Sequence, residues 1–195
     1  MISKFVYNNS KKETIILIHG LFANSGFWLK YLIFFKDYRL IIYNIDYNIL
    51  LNKNNEISDF ILNSYINDCE DNIVAVIAHS LGTVLADLVF GKGNSPIFYI
   101  CPIAFASRID SLNFVFYISD KININTNEIE STLSKADNWV NLLKVDLASN
   151  GEYLIPSRDS YFNYNTTMPN KFIFDGDHFN IEAAISSITV KYLNK

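Results

Sequence analysis

The chain has 195 residues, half of them hydrophobic and 18% charged, with a formal net charge of −4. That length lets one domain, residues 1–195, bury a core without staples, and the composition excludes a largely disordered chain. The acidic balance argues against nucleic acid as a partner.

Met1 to Asn9 lacks the long apolar core of a signal peptide, and the densest apolar segment, Tyr31 to Ile45, is interrupted by Lys36, Asp37 and Arg39. A cytoplasmic protein without a membrane span is expected. Thr14 to Ile18 is continuous and β-branched, as a strand covered on both faces would be. Leu40 to Ile45 and Ile73 to Ile77 are further runs of this kind. Between them a helix is expected over Ser58 to Asn67, with Phe60, Ile61, Tyr65 and Ile66 at helical spacing behind a Ser58 cap. A second helix should run from Leu81 to Phe90 and stop at Gly91. Ile97 to Cys101 reads as the fourth strand.

Pro102 to Asn141 breaks the alternation. Ser119 to Asn127 reads as a loop and Glu128 to Val140 as a helix, giving a small lid-like excursion over about 105–141. Leu142 to Leu147 is expected as the fifth strand, Lys171 to Phe174 as the last, and Ile181 to Leu193 as a terminal amphipathic helix. Such alternation implies a three-layer α/β fold, a mostly parallel sheet with helices on both faces. Cys69 and Cys101 have no second Cys or His at ligand spacing, so no disulfide framework and no metal site is expected.

Ser80 stands between the third strand and the second helix, where a strand-turn-helix elbow would lift its hydroxyl above the sheet. Such a turn crowds the backbone and needs small residues two places to either side; Ala78 and Gly82 meet that need. A helix N-terminus pointed at the hydroxyl offers N–H groups to a developing oxyanion. The competing explanation is an ordinary serine cap. A nucleophilic serine needs a base, and the three histidines are His19, His79 and His178. His79 adjoins Ser80, with its ring expected to turn away. His178 follows the last strand directly and is the one placed to reach over the strand ends. For the group that orients the base, Glu152 and Asp159 compete on the loop expected after the fifth strand.

Four motifs in this order resemble the α/β-hydrolase superfamily, in particular its small serine hydrolases and carboxylesterases. Ile16-Leu-Ile-His-Gly-Leu21 resembles the oxyanion loop, Ala78-His-Ser-Leu-Gly82 the nucleophile elbow, Gly151-Glu-Tyr-Leu-Ile-Pro156 the acid loop, and Asp175-Gly-Asp-His178 the histidine loop. The elbow departs from the family in opening with Ala78 instead of Gly. The resemblance implies Ser80 as nucleophile, Glu152 as acid with Asp159 as its rival, and His178 as base. It also implies oxyanion donors at Leu21 and Leu81, a close approach at Gly20, and no cofactor. The implied substrate is a small-molecule acyl ester or thioester, free or carrier-linked. A pimeloyl-carrier-protein methyl ester of biotin synthesis is the named carrier-linked case. An acyltransferase with the same triad and a non-catalytic binder on the same fold are the alternatives. Aromatic residues expected near the site, as acyl-pocket walls or as core, are Phe22, Phe27, Trp28, Phe105, Phe114, Phe116 and Trp139. The oligomeric state is left open.

Overall fold

Continuous apolar runs become the inner strands of the sheet because parallel strands are covered on both faces and no polar alternation is required of them. The computed structural model describes residues 2–52, 72–109, 111–143, 151–165, 167–168 and 170–193. The helix expected over Ser58 to Asn67 lies outside the described residues.

The strands are β1 (Ile2–Tyr7), β2 (Glu13–Ile18), β3 (Arg39–Ile45), β4 (Asn72–His79), β5 (Ile97–Ile100), β6 (Ala106–Arg108), β7 (Gly151–Pro156), β8 (Phe162–Tyr164) and β9 (Lys171–Phe174). Seven form one sheet in the order β1-β3-β2-β4-β5-β7-β9. Only β1 runs antiparallel, against β3. β6 and β8 make a separate antiparallel ribbon. From β2 the chain moves one way, to β3; from β4 it moves the other way, to β5. Right-handed crossovers in opposite directions put their helical segments on opposite faces, and a crevice opens between the ends of the two strands where the directions part. Gly20 follows β2 and Ser80 follows β4, so the crevice falls between them.

The helices are α1 (Tyr47–Asn52), α2 (Gly82–Phe90), α3 (Ser111–Ile122), α4 (Thr126–Leu143) and α5 (Glu182–Ile188), with a 3₁₀ segment over Ser25–Phe35 and a π-helical continuation over Thr189–Leu193. Among the described residues no helix is long and apolar enough to cross a membrane. The core is continuous, with Ile15 to Ile18, Ala75 to Ala78 and Ile97 to Cys101 fully buried.

Two expectations are corrected. Ser119 to Asn127 is mostly not a loop: α3 runs through Ile122, and only Asn123 to Asn125 turn the chain. Asn123 takes the left-handed conformation at φ 54° that ends a helix, and the Asn125 side chain accepts from the Asn127 amide to start the next one. The strand expected from Leu142 does not start there: Leu142 and Leu143 are helical, and the next described strand of the sheet is Gly151–Pro156. Ile129, Leu133, Ala136 and Trp139 set a buried helical stripe, and the helix carries on through Leu143. The rest of the expected strand lies outside the described residues. α4 is tied down at both flanks. Lys135 Nζ donates to Asn52 Oδ1 of α1 at 2.8 Å, and Asp137 pairs with Arg108 of β6.

Candidate active site

Ser80 sits in the sharp turn between β4 and α2 with φ 54°, a conformation costly for a residue with a Cβ. The turn is held from both sides. The Ser80 amide donates to the Ile100 carbonyl of β5 at 2.9 Å, and the Ser80 carbonyl accepts from the Thr83 hydroxyl at 2.6 Å. Small neighbours are required by space: a Cβ on Gly82 would fall 2.5 Å from the His19 carbonyl oxygen, and one on Gly20 would fall 2.6 Å from Ser80 Cβ and 3.1 Å from Ser80 Oγ. Ala78 is fully buried at the end of β4. Phe22 and Cys101 also adopt positive φ, at 60° and 51°. Three strained residues thus follow the ends of β2, β4 and β5, where the crevice lies.

His178 is carried by the loop after β9. The Asp177 carboxylate folds that loop by accepting from the amides of Phe179 and Asn180 at 2.8 and 2.9 Å. Gly176 is needed there, since a Cβ would lie 2.2 Å from the Asn180 carbonyl oxygen. The imidazole stacks on Phe162, centroids 4.5 Å apart, and is 3% exposed. Its Nε2 lies 3.0 Å from Ser80 Oγ. Its backbone carbonyl accepts from His79 Nε2 at 2.7 Å. The His79 ring therefore braces the loop that bears His178, a role the sequence reading did not assign. Burial, and next the neighbouring His178, hold His79 well below the ordinary imidazole range, so it stays neutral. With Nε2 donating, its Nδ1 is a bare acceptor, buried without a partner among the described residues.

The carboxylate that faces His178 belongs to Asp159. Its Oδ2 is 3.5 Å from His178 Nδ1, and its Oδ1 accepts from the amides of Tyr161 and Phe162 at 2.8 and 3.0 Å. Burial alone would push this carboxyl up. The His178 imidazole, the Tyr161 amide and the Tyr164 hydroxyl outweigh burial and hold it below the ordinary carboxylate range. Glu152, the first choice from sequence, is corrected by position. It is the second residue of β7, beside Phe98, and pairs with Lys191 at 3.6 Å. A strand rises about 3.3 Å per residue, so Glu152 starts about 13 Å below the edge where β7 ends. Asp159, three residues past Pro156, is beyond that edge.

Tyr164 of β8 is a participant the sequence reading missed. Its hydroxyl is 2.9 Å from Asp159 Oδ2 and 2.9 Å from His178 Nδ1. No local motif marks it, because three-residue β8 gains its place only by pairing with β6.

A cavity of about 590 Å³ opens at Ser80. Leu21 lines it beside the serine, while Leu81 is fully buried behind the turn. Of the aromatic residues weighed as pocket walls, Phe22, Phe27 and Phe114 line the cavity. Trp28 is core and Phe116 is exposed. Phe105 packs edge-on against Tyr153 instead. α3 and α4 roof the cavity through Phe114, Tyr117 and Leu133, and Arg108, Lys121 and Asp137 give the wall its charges. His79, Cys101 and His178 bring ligand atoms within 4.8 Å of one another. Both nitrogens of His178 are engaged, by Ser80 and Tyr164.

No family model matches the chain, and no curated protein matches its sequence. Solved structures do match. The NocB thioesterase domain, solved as a covalent complex with a fluorophosphonate nocardicin G analog, is similar at TM-score 0.61 and 10% identity, covering 96% of this chain and 99% of that one. BioG from Haemophilus influenzae matches at 0.58 and 14%, covering 91% and 94%. An alpha/beta hydrolase fold protein from Burkholderia ambifaria matches at 0.58 and 11%, covering 100% and 94%. The chain has the α/β-hydrolase fold.

Proposed function

We propose that this chain is a serine hydrolase that cleaves a carboxyl ester or thioester through an acyl-enzyme on Ser80. The observation that carries the reading is the 3.0 Å approach of His178 Nε2 to Ser80 Oγ at a strained elbow on the floor of a largely apolar cavity. In this reading His178 Nε2 takes the hydroxyl proton as Oγ bonds to the substrate carbonyl carbon. The same proton then goes to the departing alkoxide or thiolate. Water repeats the sequence on the acyl-enzyme, its proton passing through His178 back to Ser80. Asp159 stabilises the imidazolium. The amides of Leu21 and Leu81 receive the oxyanion, and removing one such donor typically reduces rate by on the order of a hundredfold or more. The excursion bearing α3 and α4 serves as the lid over the acyl chain. None of these steps calls on a metal or organic cofactor.

A narrower reading is a carrier-linked acyl ester, the pimeloyl-carrier methyl ester among them. Lys121 on the cavity wall favours it, since a cation there suits an acidic carrier or its phosphate arm, whereas Arg108 is already paired with Asp137. Turnover of carrier-linked over free methyl ester by tenfold or more in kcat/KM supports this form; equal turnover refutes it.

A fluorophosphonate probe tests the hydrolase reading. Wild type should be labelled stoichiometrically and Ser80→Ala not at all. Equal labelling of the two refutes Ser80 as the nucleophile, and labelling of neither favours a binding protein on this fold.

A further inference from the structure

We propose that Tyr164 is a positioning residue whose phenol carries the link between Asp159 and His178 and thereby sets the imidazole tautomer. This rests on the hydrolase reading for its kinetic consequences but not for its structural ones. The direct gap from His178 Nδ1 to Asp159 Oδ2 is 3.5 Å, beyond the usual length of an N–H···O bond. The Tyr164 oxygen fills it, 2.9 Å from each.

Directionality follows from what each group can give. An ionised Asp159 only accepts, so the phenolic proton points to Oδ2. Burial first, with Cys101 and Asp159 nearby, pushes the Tyr164 phenol well above its ordinary range, so it keeps that proton. The phenolic oxygen then offers His178 only lone pairs. His178 must therefore carry its resting proton on Nδ1, which leaves Nε2 bare toward the Ser80 hydroxyl. When Nε2 takes the serine proton, no proton leaves Nδ1. The two hydrogen bonds through Tyr164 shorten and spread the new positive charge toward Asp159. The phenol is also fixed in place: β8 pairs with β6, the Asn165 amide donates to the Phe105 carbonyl at 2.8 Å, and Tyr164 is 7% exposed.

The test is the tautomer itself, read by ¹⁵N NMR of His178 in the resting protein. Wild type should show Nδ1–H as the dominant neutral form. Tyr164→Phe, which keeps the ring, should mix the two tautomers and lower kcat at least about tenfold with KM within twofold. Retention of the Nδ1–H form in Tyr164→Phe overturns the proposal whatever the rate does. Should that variant not fold, 3,5-difluorotyrosine placed at position 164 keeps the shape and makes the phenol more acidic. A displaced His178 Nδ1–H resonance then supports the link, and an unmoved one overturns it. Failure of the hydrolase reading would appear as an unlabelled wild type; failure of this proposal would appear in the NMR of a labelled one.

Discussion

The Cβ that Gly20 lacks would stand 2.6 Å from Ser80 Cβ, a separation that real carbon atoms do not tolerate. Gly20 has no positive φ, so space and not backbone freedom is what demands glycine here. Gly20→Ala must push the loop after β2 away from the elbow or turn the serine off His178 Nε2. Either movement separates the nucleophile from the Leu21 amide. Turnover of a p-nitrophenyl ester should fall by about a hundredfold or more, while the fold loses about 1–3 kcal/mol to overpacking. Gly82→Ala meets the backbone of His19 instead, at 2.5 Å, and should show mainly the stability loss. Equal activity in wild type and Gly20→Ala would remove the close approach from the argument.

The acid assignment makes a sharp contrast between two carboxylates. Asp159→Asn keeps an oxygen for the amides of Tyr161 and Phe162, so the loop should hold its shape while losing the negative charge opposite His178. The imidazolium formed during attack is then unsupported, and kcat should fall by on the order of 10³ to 10⁴. Glu152→Gln loses only a partly exposed pairing with Lys191 and should stay within about twofold of wild type. Steady-state kinetics on one soluble ester decide it, and the reverse result would return the role to Glu152.

The inner strands were legible in the sequence because each is an unbroken apolar run that only a doubly covered strand explains. β1 was not, since Ser3 to Tyr7 are exposed and mix charge with aromatics. β6 and β8 are three residues each, too short to carry a periodicity. Glu152 was preferred to Asp159 for a related reason. A leucine pair such as Leu142-Leu143 can close a helix or open a strand, and the strand reading drew the expected sheet edge back toward Glu152. With β7 starting at Gly151, that edge passes to Asp159. Tyr164 and His79 gain their roles only from partners distant in sequence, such as the His178 carbonyl 99 positions from His79. No local pattern records such partners.

Stability should fall in acid before any carboxylate titrates. His19 donates from Nδ1 to the Gly20 carbonyl at 2.8 Å and accepts at Nε2 from the Ile45 amide at 2.9 Å. A second ring proton would face that amide, and burial lowers the His19 pKa from 6.5 to about 4. His79 is lowered in the same direction, again chiefly by burial. Below pH 6.5 the unfolded chain protonates these rings and the folded one does not, so the unfolded state binds more protons. The stability of the neutral rings is complete above 6.5 and is lost as pH falls toward the folded values, by up to about 1.4 kcal/mol per pH unit for each ring. Asp159, lowered in the folded state, adds a further loss below the ordinary carboxylate range. Urea midpoints at pH 7.5, 6.5 and 5.5 should decline mainly over the last interval; a flat series would mean that these rings take up protons in the fold as readily as in the unfolded chain.

The cavity gives the final prediction. Its roof is set by α3 and α4, where Leu133 lines the space and is 7% exposed. α4 is held by Lys135 on Asn52 and by Asp137 on Arg108, so a larger side chain at 133 should fill the cavity instead of lifting the helix. If the acyl chain lies under this roof, Leu133→Trp shortens the longest ester turned over without touching Ser80 or His178. Across p-nitrophenyl esters of rising acyl length, acetate turnover should stay within about threefold, the few-kcal/mol strain of overpacking being borne by the roof. KM should rise at least about tenfold for chains of eight carbons and more, as one to two excluded methylenes already account for that factor. A variant that kept acetate and long esters alike would place the chain elsewhere in the crevice, along the face of Phe22 and Phe27.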